Sequence, residues 1–238
     1  MTFALLACAI AALGLTLLGV AGPAYRFGVL TLPNAFTLLR WAAYTGIAAA
    51  AAGTIAGLLA YRRDARLATF TAAVALLGGV AAFGIPFEWQ RGARDVPPIH
   101  DITTDLERPP TFEAIVALRA DAANSLERPT ELAEQQRLGY PDLAPVTLSM
   151  PSEQAFDRAL AVAQQAGWDI VAADKGAGRI EATDTTRWFG FQDDVIVRLT
   201  PWGAGTRVDV RSVSRVGRSD VGTNARRIRQ YLAALRSS

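Results

Sequence analysis

Three long apolar runs without a charged side chain dominate the first ninety residues of this 238-residue chain. They extend over residues 3–21, 41–60 and 68–87. Each has close to the ~20 residues that a helix needs to cross the hydrocarbon core of a bilayer. The sequence therefore predicts a membrane region over residues 1–90 with three transmembrane helices.

Aromatic residues lie at the ends of these runs, where their amphipathic rings favour the membrane interface. They are Tyr25, Trp41, Tyr44, Tyr61, Phe87 and Trp89. A signal peptide is the alternative for the first run, but this run lacks a basic start and two more runs follow it. Three membrane helices account for all the runs together.

The loop between the second and third runs predicts the orientation in the membrane. It reads YRRDAR at 61–66 and carries Arg62, Arg63 and Arg66. Short loops rich in arginine favour the cytoplasmic side. We therefore expect an integral protein of the cell inner membrane, with a cytoplasmic N-terminus and its soluble domain on the periplasmic side. Four arginines near the other ends of the runs oppose this bias.

Gly53 and Gly57 form a G-x-x-x-G pair in the second run. Small residues at this spacing let two helices approach closely. The pair would serve either a dimer interface or packing among the three helices of one chain. The second interpretation is favoured, because small residues line contacts between membrane helices generally.

Charge is concentrated in the rest of the chain. Residues 91–238 hold 19 of the 24 basic residues and 20 of the 22 acidic ones, so this part is built for water. Within 91–110, four prolines lack amide donors and restrict their neighbours. We therefore expect a proline-rich linker at 91–110 and a soluble domain at 111–238.

Apolar periodicity predicts the elements of the soluble domain. Alternating apolar residues indicate strands at 146–150, 168–174, 179–184, 194–200 and 206–210. Apolar residues three and four apart indicate helices at 112–123, 152–166 and 221–235, and a mostly polar helix is expected at 128–138. The predicted fold class is α+β: three N-terminal transmembrane helices, followed by an antiparallel-sheet domain with helices on one face. This order is similar to that of helix-grip folds.

Four strings in the soluble part resemble one known family. They are IHDITTD (99–105), YPD (140–142), EATDTTRWFGFQDDVIVR (181–198) and RVDVRSVSRVGRSDVGTNARRIRQYL (207–232). In this order they are similar to the domain of unknown function 1499 family, over about residues 98–235. The resemblance implies a soluble domain that membrane helices often precede, and it implies no established activity.

The connection TDTTRWFGFQDD at 183–194 holds the first group of candidate binding residues. These are Asp184, Arg187, Trp188, Asp193 and Asp194. Aromatic side chains on a loop commonly line a binding groove; alternatively, the rings cover the edge of the sheet or rest on the membrane surface. Adjacent residues of a strand point to opposite faces, so Asp193 and Asp194 are not expected to act as one acid/base pair.

The arginine-rich stretch at 211–229 supplies the second group. Arg211 and Arg215 are expected to approach the acidic connection, whereas Arg226 and Arg227 are expected on the solvated face of the last helix. Ser219 or Asp220 is expected to cap that helix.

Free amides at the start of the last helix would offer an anion site, which Asp220 itself would occupy or repel. Asn224 completes the candidate set. On the sheet face away from the helices, Asp209 is expected to form an exposed pair with Arg198.

Several kinds of site are disfavoured by composition. His100 is the single histidine and Cys8 the single cysteine, so neither a zinc site nor a disulfide framework is expected. The soluble part carries 19 basic and 20 acidic residues, without the net basic charge of a nucleic-acid-binding domain. No motif for a nucleophile with its base, or for a phosphate loop, occurs, and no cofactor is expected.

These patterns favour a non-enzymatic envelope protein anchored in the lipid bilayer. Its soluble domain would bind a ligand, a lipid headgroup or a partner protein of the envelope through the 184–194 loop and the 211–218 turn. The alternative is a membrane-tethered enzyme that uses Asp184, Asp193 or Asp194 together with Arg211 or Arg215.

Overall fold

The computed structural model describes residues 1–237, which form two compact units. The first unit comprises Met1–Gly92 together with Arg187–Gly190. The second comprises Ala93–Thr186 and the described residues from Phe191 onward.

Three helices make up most of the first unit: α1 (Thr2–Arg26), α2 (Leu32–Tyr61) and α3 (Arg66–Arg94). All three are long and apolar enough to cross a membrane, which confirms the predicted helices and supports association with a membrane. Each helix extends beyond its apolar run, and Pro23 in α1 and Pro86 in α3 lie inside these helices without ending them. Gly28, with a φ of +70°, follows the end of α1, and Pro33 lies in the first turn of α2.

The helices bury stripes of small residues that recur every three or four positions. On α2 the buried residues are Ala35, Leu39, Ala42, Gly46, Ala49, Gly53, Ala56 and Ala60. A Cβ atom added to Gly46 would lie only 2.7 Å from the carbonyl oxygen of Gly79 on α3. Gly53 lies equally close to α3, where its added Cβ would be 2.8 Å from the Leu76 amide nitrogen. The G-x-x-x-G pair thus contributes to packing within the chain.

An antiparallel sheet of six strands forms the centre of the second unit. The strands are β1 (Asp101–Thr103), β2 (Val146–Leu148), β3 (Asp169–Asp174), β4 (Arg179–Thr185), β5 (Gln192–Trp202) and β6 (Gly205–Ser214). Their order is β1-β6-β5-β4-β3, and β2 pairs with the other end of β6. Residues 101–103 were expected in the linker, but their backbone pairs with residues 211–213 of β6.

Two helices, α5 (Ser152–Gln165) and α6 (Thr223–Ser237), pack on one face of this sheet. Their apolar stripes, which include Phe156 and Ile228, meet Val195, Val197 and Val208 in one core. This arrangement confirms the α+β class with helices against one face of the sheet.

The segment between β1 and α4 (Glu131–Gly139) covers part of the opposite face. Within it, the predicted helix at 112–123 is wrong, because only a 3-10 helix at Ile115–Arg119 forms. The buried Glu181 carboxylate accepts hydrogen bonds from the backbone amides of residues 113–115 at 2.9–3.2 Å. These bonds hold the chain against β4, and Phe112 and Ile115 pack in one cluster with Ile196 of the neighbouring β5.

Candidate functional site

The structure separates the predicted binding residues into three groups. Arg187 and Trp188 belong to the first unit. Asp184, Asp193, Asp220 and Asn224 lie with the start of α6, while Asp194, Arg211 and Arg215 bind partners on the other face of the sheet.

Arg227 is the centre of the group beside α6. Its guanidinium donates to Asp184 Oδ2 at 2.7 Å, to Asp193 Oδ2 at 2.6 Å and to Ser212 Oγ at 3.1 Å. Burial by itself would lower the pKa of Arg227, but the two carboxylates raise it above its usual value. The prediction that Arg227 lies on the solvated face is wrong. Arg227 directly precedes Ile228 and lies at the edge of the apolar stripe of α6. This stripe faces the sheet, where the two aspartates bind the guanidinium.

A signal for this arginine exists in the sequence. Asp184 and Asp193 are direct neighbours across β4 and β5. Like charges in that position repel each other, so the hairpin requires a cation between them. Which residue of α6 supplies this cation depends on how the helix packs on the sheet.

Of the two predicted caps, Asp220 is the residue that caps α6. Its carboxylate accepts hydrogen bonds from the amides of Gly222 and Asn224, both at 2.8 Å. These amides are therefore not open to an external anion. Burial raises the pKa of Asp220, and the two backbone hydrogen bonds oppose this rise.

Asn224 ties the start of α6 to β6 and to the chain before β1. Its side-chain amide donates to Ser214 Oγ at 3.0 Å and to the His100 carbonyl oxygen at 2.9 Å, and it accepts from Ser212 Oγ at 2.8 Å. Every polar atom of this buried amide has a partner, which indicates a positioning role for Asn224.

On the opposite face, Asp194 is held by two arginines. Arg215 donates to both carboxylate oxygens at 2.9 Å, Arg119 forms a further ion pair, and Thr183 donates at 2.8 Å. The predicted approach of Arg215 to the acidic connection is confirmed. Because Asp193 binds Arg227 on the helix side, the prediction that the two adjacent aspartates point to opposite faces is confirmed as well.

Arg211 has a different partner from the one expected. It donates to both oxygens of Asp101, at 3.0 and 2.9 Å, and to the Leu126 carbonyl oxygen at 2.7 Å. Arg128 binds the same carboxylate at 2.9 Å. The β1–β6 register pairs Thr103 with Arg211 and so brings Asp101 close to this guanidinium.

The predicted pair between Arg198 and Asp209 forms, at 3.1 Å. However, Asp209 is buried with 1 % of its surface exposed, so the expectation of an exposed pair is wrong. The guanidinium of Arg207 and the carboxylate of Asp105 join the cluster. Apart from Asp220, the aspartates of these clusters are thus engaged by guanidinium groups, and proton transfer to any of those would require breaking an ion pair.

Trp188 and its neighbour Phe189 pack on the helices of the first unit. The Trp188 ring lies 5.0 Å from the ring of Trp89, centroid to centroid. The Phe189 ring lies 6.0 Å from Tyr25 and 5.9 Å from Phe36. These contacts, rather than a groove wall, are what the aromatic residues of the connection form in the structure.

A groove of about 480 Å³ lies between the end of α5 and one side of α6. It is lined by Val162, Gln165, Ala166, Trp168, Asp184, Thr223, Arg226, Arg227, Gln230, Tyr231 and Ala234. The rings of Trp168 and Tyr231 stack at 4.8 Å beside it. Of this lining, only Asp184 was a sequence-predicted binding residue.

His100 contributes to a local backbone contact. Its Nδ1 lies 3.4 Å from the carbonyl oxygen of Arg218 and can donate to it. Among residues 1–237, no three His, Cys, Asp or Glu side chains form a group that could hold a metal ion.

Comparison with known proteins identifies the region that contains these side chains. A family model described as protein of unknown function (DUF1499) matches residues 101–235. The match begins at β1 and ends within α6, so it includes the Arg227 cluster, both faces of the sheet and the groove. A search of curated proteins finds no match to the chain.

Proposed function

This chain belongs to the DUF1499 family of proteins of unknown function, and we propose that it is a membrane-anchored, non-enzymatic binding protein of the cell envelope. Its ligand is an anionic amphiphile, a molecule with a phosphate or carboxylate group beside an apolar part, such as a lipid with an acidic headgroup. The ligand binds in the groove between α5 and α6.

The observation that carries this proposal is the state of Arg226. It lines the groove and is exposed, and its guanidinium donates to Thr223 Oγ1 at 3.2 Å. No carboxylate of residues 1–237 forms an ion pair with it. The neighbouring Arg227 is neutralised by two aspartates. Arg226 is therefore the cation that is available to an anionic ligand, and planar guanidinium matches phosphate and carboxylate geometry.

The remainder of the groove suits the apolar part of such a ligand. The stacked rings of Trp168 and Tyr231 form its largely buried wall, and Val162 and Ala166 of α5 complete the apolar lining. Ligand sites commonly combine an apolar lining with a few polar groups that fix orientation. Gln165 and Gln230 provide such groups here.

The location in the cell envelope rests on the three helices and on the arginine-rich loop between α2 and α3. Arg62, Arg63 and Arg66 favour the cytoplasmic side for that loop. An odd number of spans then carries the family domain to the periplasmic side of the inner membrane.

Calorimetry tests the binding proposal with the full chain in phosphatidylcholine nanodiscs. The probes are water-soluble dihexanoyl phosphatidic acid and its phosphatidylcholine counterpart, with empty nanodiscs as the blank. We expect the anionic probe to bind more tightly, and Arg226→Gln to weaken its binding about tenfold through loss of a charge-assisted hydrogen bond.

Arg236→Gln is the matched control, because Arg236 is exposed in the last turn of α6 and does not line the groove. It should leave the affinity unchanged. Equal affinity for the two probes, or equal effects of the two substitutions, would exclude the groove as the anion site.

A further inference from the structure

The tetrapeptide Arg187–Gly190 has two unusual properties together. It lies in the connection between β4 and β5, yet its residues form part of the first unit, with the membrane-length helices. Within that unit, the helices are contacted by the backbone of Arg187, the indole of Trp188 and the ring of Phe189. Arg26 donates to the Arg187 carbonyl oxygen at 2.6 Å, and the Trp188 Nε1 donates to the Gly19 carbonyl oxygen at 3.3 Å.

The tetrapeptide fits into a socket on the helices, and this close fit requires small residues at two positions. A Cβ atom on Gly22 of α1 would lie 2.8 Å from the indole ring of Trp188. Gly190 has a φ of +70°, and a Cβ atom there would lie 2.7 Å from the Arg26 side chain. Both glycines are therefore needed for the close approach of the tetrapeptide, at positions where any larger residue would clash.

The socket lies at the level where polar residues replace apolar ones along the helices. Gly19 stands seven residues before Arg26 at the end of α1, about 10 Å along a helix at 1.5 Å per residue. Trp89, which contacts Trp188, directly follows Glu88 in the last part of α3. Tryptophan rings concentrate at this level of a bilayer because their apolar body and N–H group suit the interface.

We propose that Arg187–Gly190 is an interfacial loop, in which the half-buried indole of Trp188 lies at the headgroup level of the bilayer and contacts phospholipid. The loop adds a fourth membrane-contacting element to the three helices. The indole N–H of Trp188 donates to the Gly19 carbonyl oxygen, so the ring enters the interface without an unpaired donor. This inference is independent of the proposed ligand groove.

Quenching of tryptophan fluorescence by brominated phosphatidylcholine tests the contact with lipid. The full chain has five tryptophans, of which Trp41, Trp89 and Trp188 are expected near lipid. Reconstituted in nanodiscs of brominated lipid, Trp188→Phe should lower the quenched fraction of the emission, from roughly three-fifths to roughly one-half if the five yields are equal. Phenylalanine keeps an aromatic ring in the Gly22 socket.

Trp202→Phe is the matched control. Trp202 lies at the end of β5, does not line the groove and is not among the tryptophans expected near lipid, so its removal should raise the quenched fraction. If Trp188→Phe also raised that fraction, Trp188 would be shielded from lipid and the interfacial loop would be refuted.

A spin label gives a second measurement that leaves Trp188 intact. Arg187→Cys in a Cys8→Ser background carries the nitroxide, and Lys175→Cys in the exposed β3–β4 turn is the reference. We expect the label at 187 to be more accessible to lipid-soluble oxygen than to a water-soluble nickel complex, relative to the label at 175. Equal ratios at the two positions would contradict insertion.

Discussion

At the scale of single residues, the two adjacent arginines of α6 differ most. Removing Arg227 would leave Asp184 and Asp193 facing each other across two strands without a counter-charge. We expect Arg227→Ala to lower the free energy of unfolding by about 3 kcal/mol, the usual cost of stranding a buried charge. Arg226→Ala should change it by less than ~0.5 kcal/mol, because this side chain is exposed. Denaturant unfolding compares them, and equal small losses would mean that the Arg227 cluster contributes little.

The buried cap Asp220 predicts a pH dependence with a definite sign. Its pKa is raised from 3.8 by burial, so the folded state holds the proton more tightly than the unfolded state does. The associated stability is complete below the unfolded pKa and is lost as the pH rises through the folded pKa. Asp220→Asn removes this titration while retaining a side-chain oxygen for capping.

The melting temperatures of the two proteins should therefore differ in a pH-dependent way. We expect the advantage of the original protein over Asp220→Asn to shrink as the pH is raised from about 4 to about 7. Groups that titrate in both proteins cancel in the comparison. A difference that stayed constant, or that grew with pH, would contradict a raised pKa for Asp220.

At the scale of elements, the contact between α2 and α3 depends on the absence of side chains. Gly46→Ala would bring a Cβ atom to 2.7 Å from both the Gly79 carbonyl oxygen and the Phe83 amide nitrogen. These are backbone atoms, so the helices must move apart, and we expect a loss of ~1–3 kcal/mol that appears as a lower melting temperature in detergent.

Gly84→Ala is the control for that substitution, because nothing lies within 4 Å of its added Cβ atom. Alanine favours a helix over glycine by ~1 kcal/mol, so Gly84→Ala should be neutral or stabilising. If both substitutions had the same effect, the close approach of α2 and α3 would not limit stability.

At the scale of the whole molecule, the proposed orientation predicts the outcome of reporter fusions. Alkaline phosphatase attached at the C-terminus should be active, since this enzyme folds only outside the cytoplasm. A fluorescent protein that matures only in the cytoplasm should stay dark at the same site. Truncation after Arg63, within the arginine-rich loop, should reverse both results. Fluorescence of the C-terminal fusion would invert the orientation.

Local patterns were sufficient for most of the fold. The three membrane-length helices follow from uncharged runs, and β4, β5 and β6 follow from alternating valines, isoleucines and polar residues. The cap of α6 was also readable to within the adjacent Ser219 and Asp220, because the amides that Asp220 binds lie two and four residues away. Each of these features depends on interactions between residues close together in sequence, so a local sequence pattern is enough to predict it.

The partners of the arginines were decided by the tertiary structure alone. Arg211 and Asp101 are 110 positions apart, and the short β1 that joins them forms only because β6 offers it hydrogen bonds. The cover over the second sheet face likewise depends on Glu181, which holds amides 66 to 68 positions away. Every guanidinium can donate to any carboxylate. Sequence therefore determined which charges the domain contains, whereas strand register and the rotation of α6 determined which of them meet.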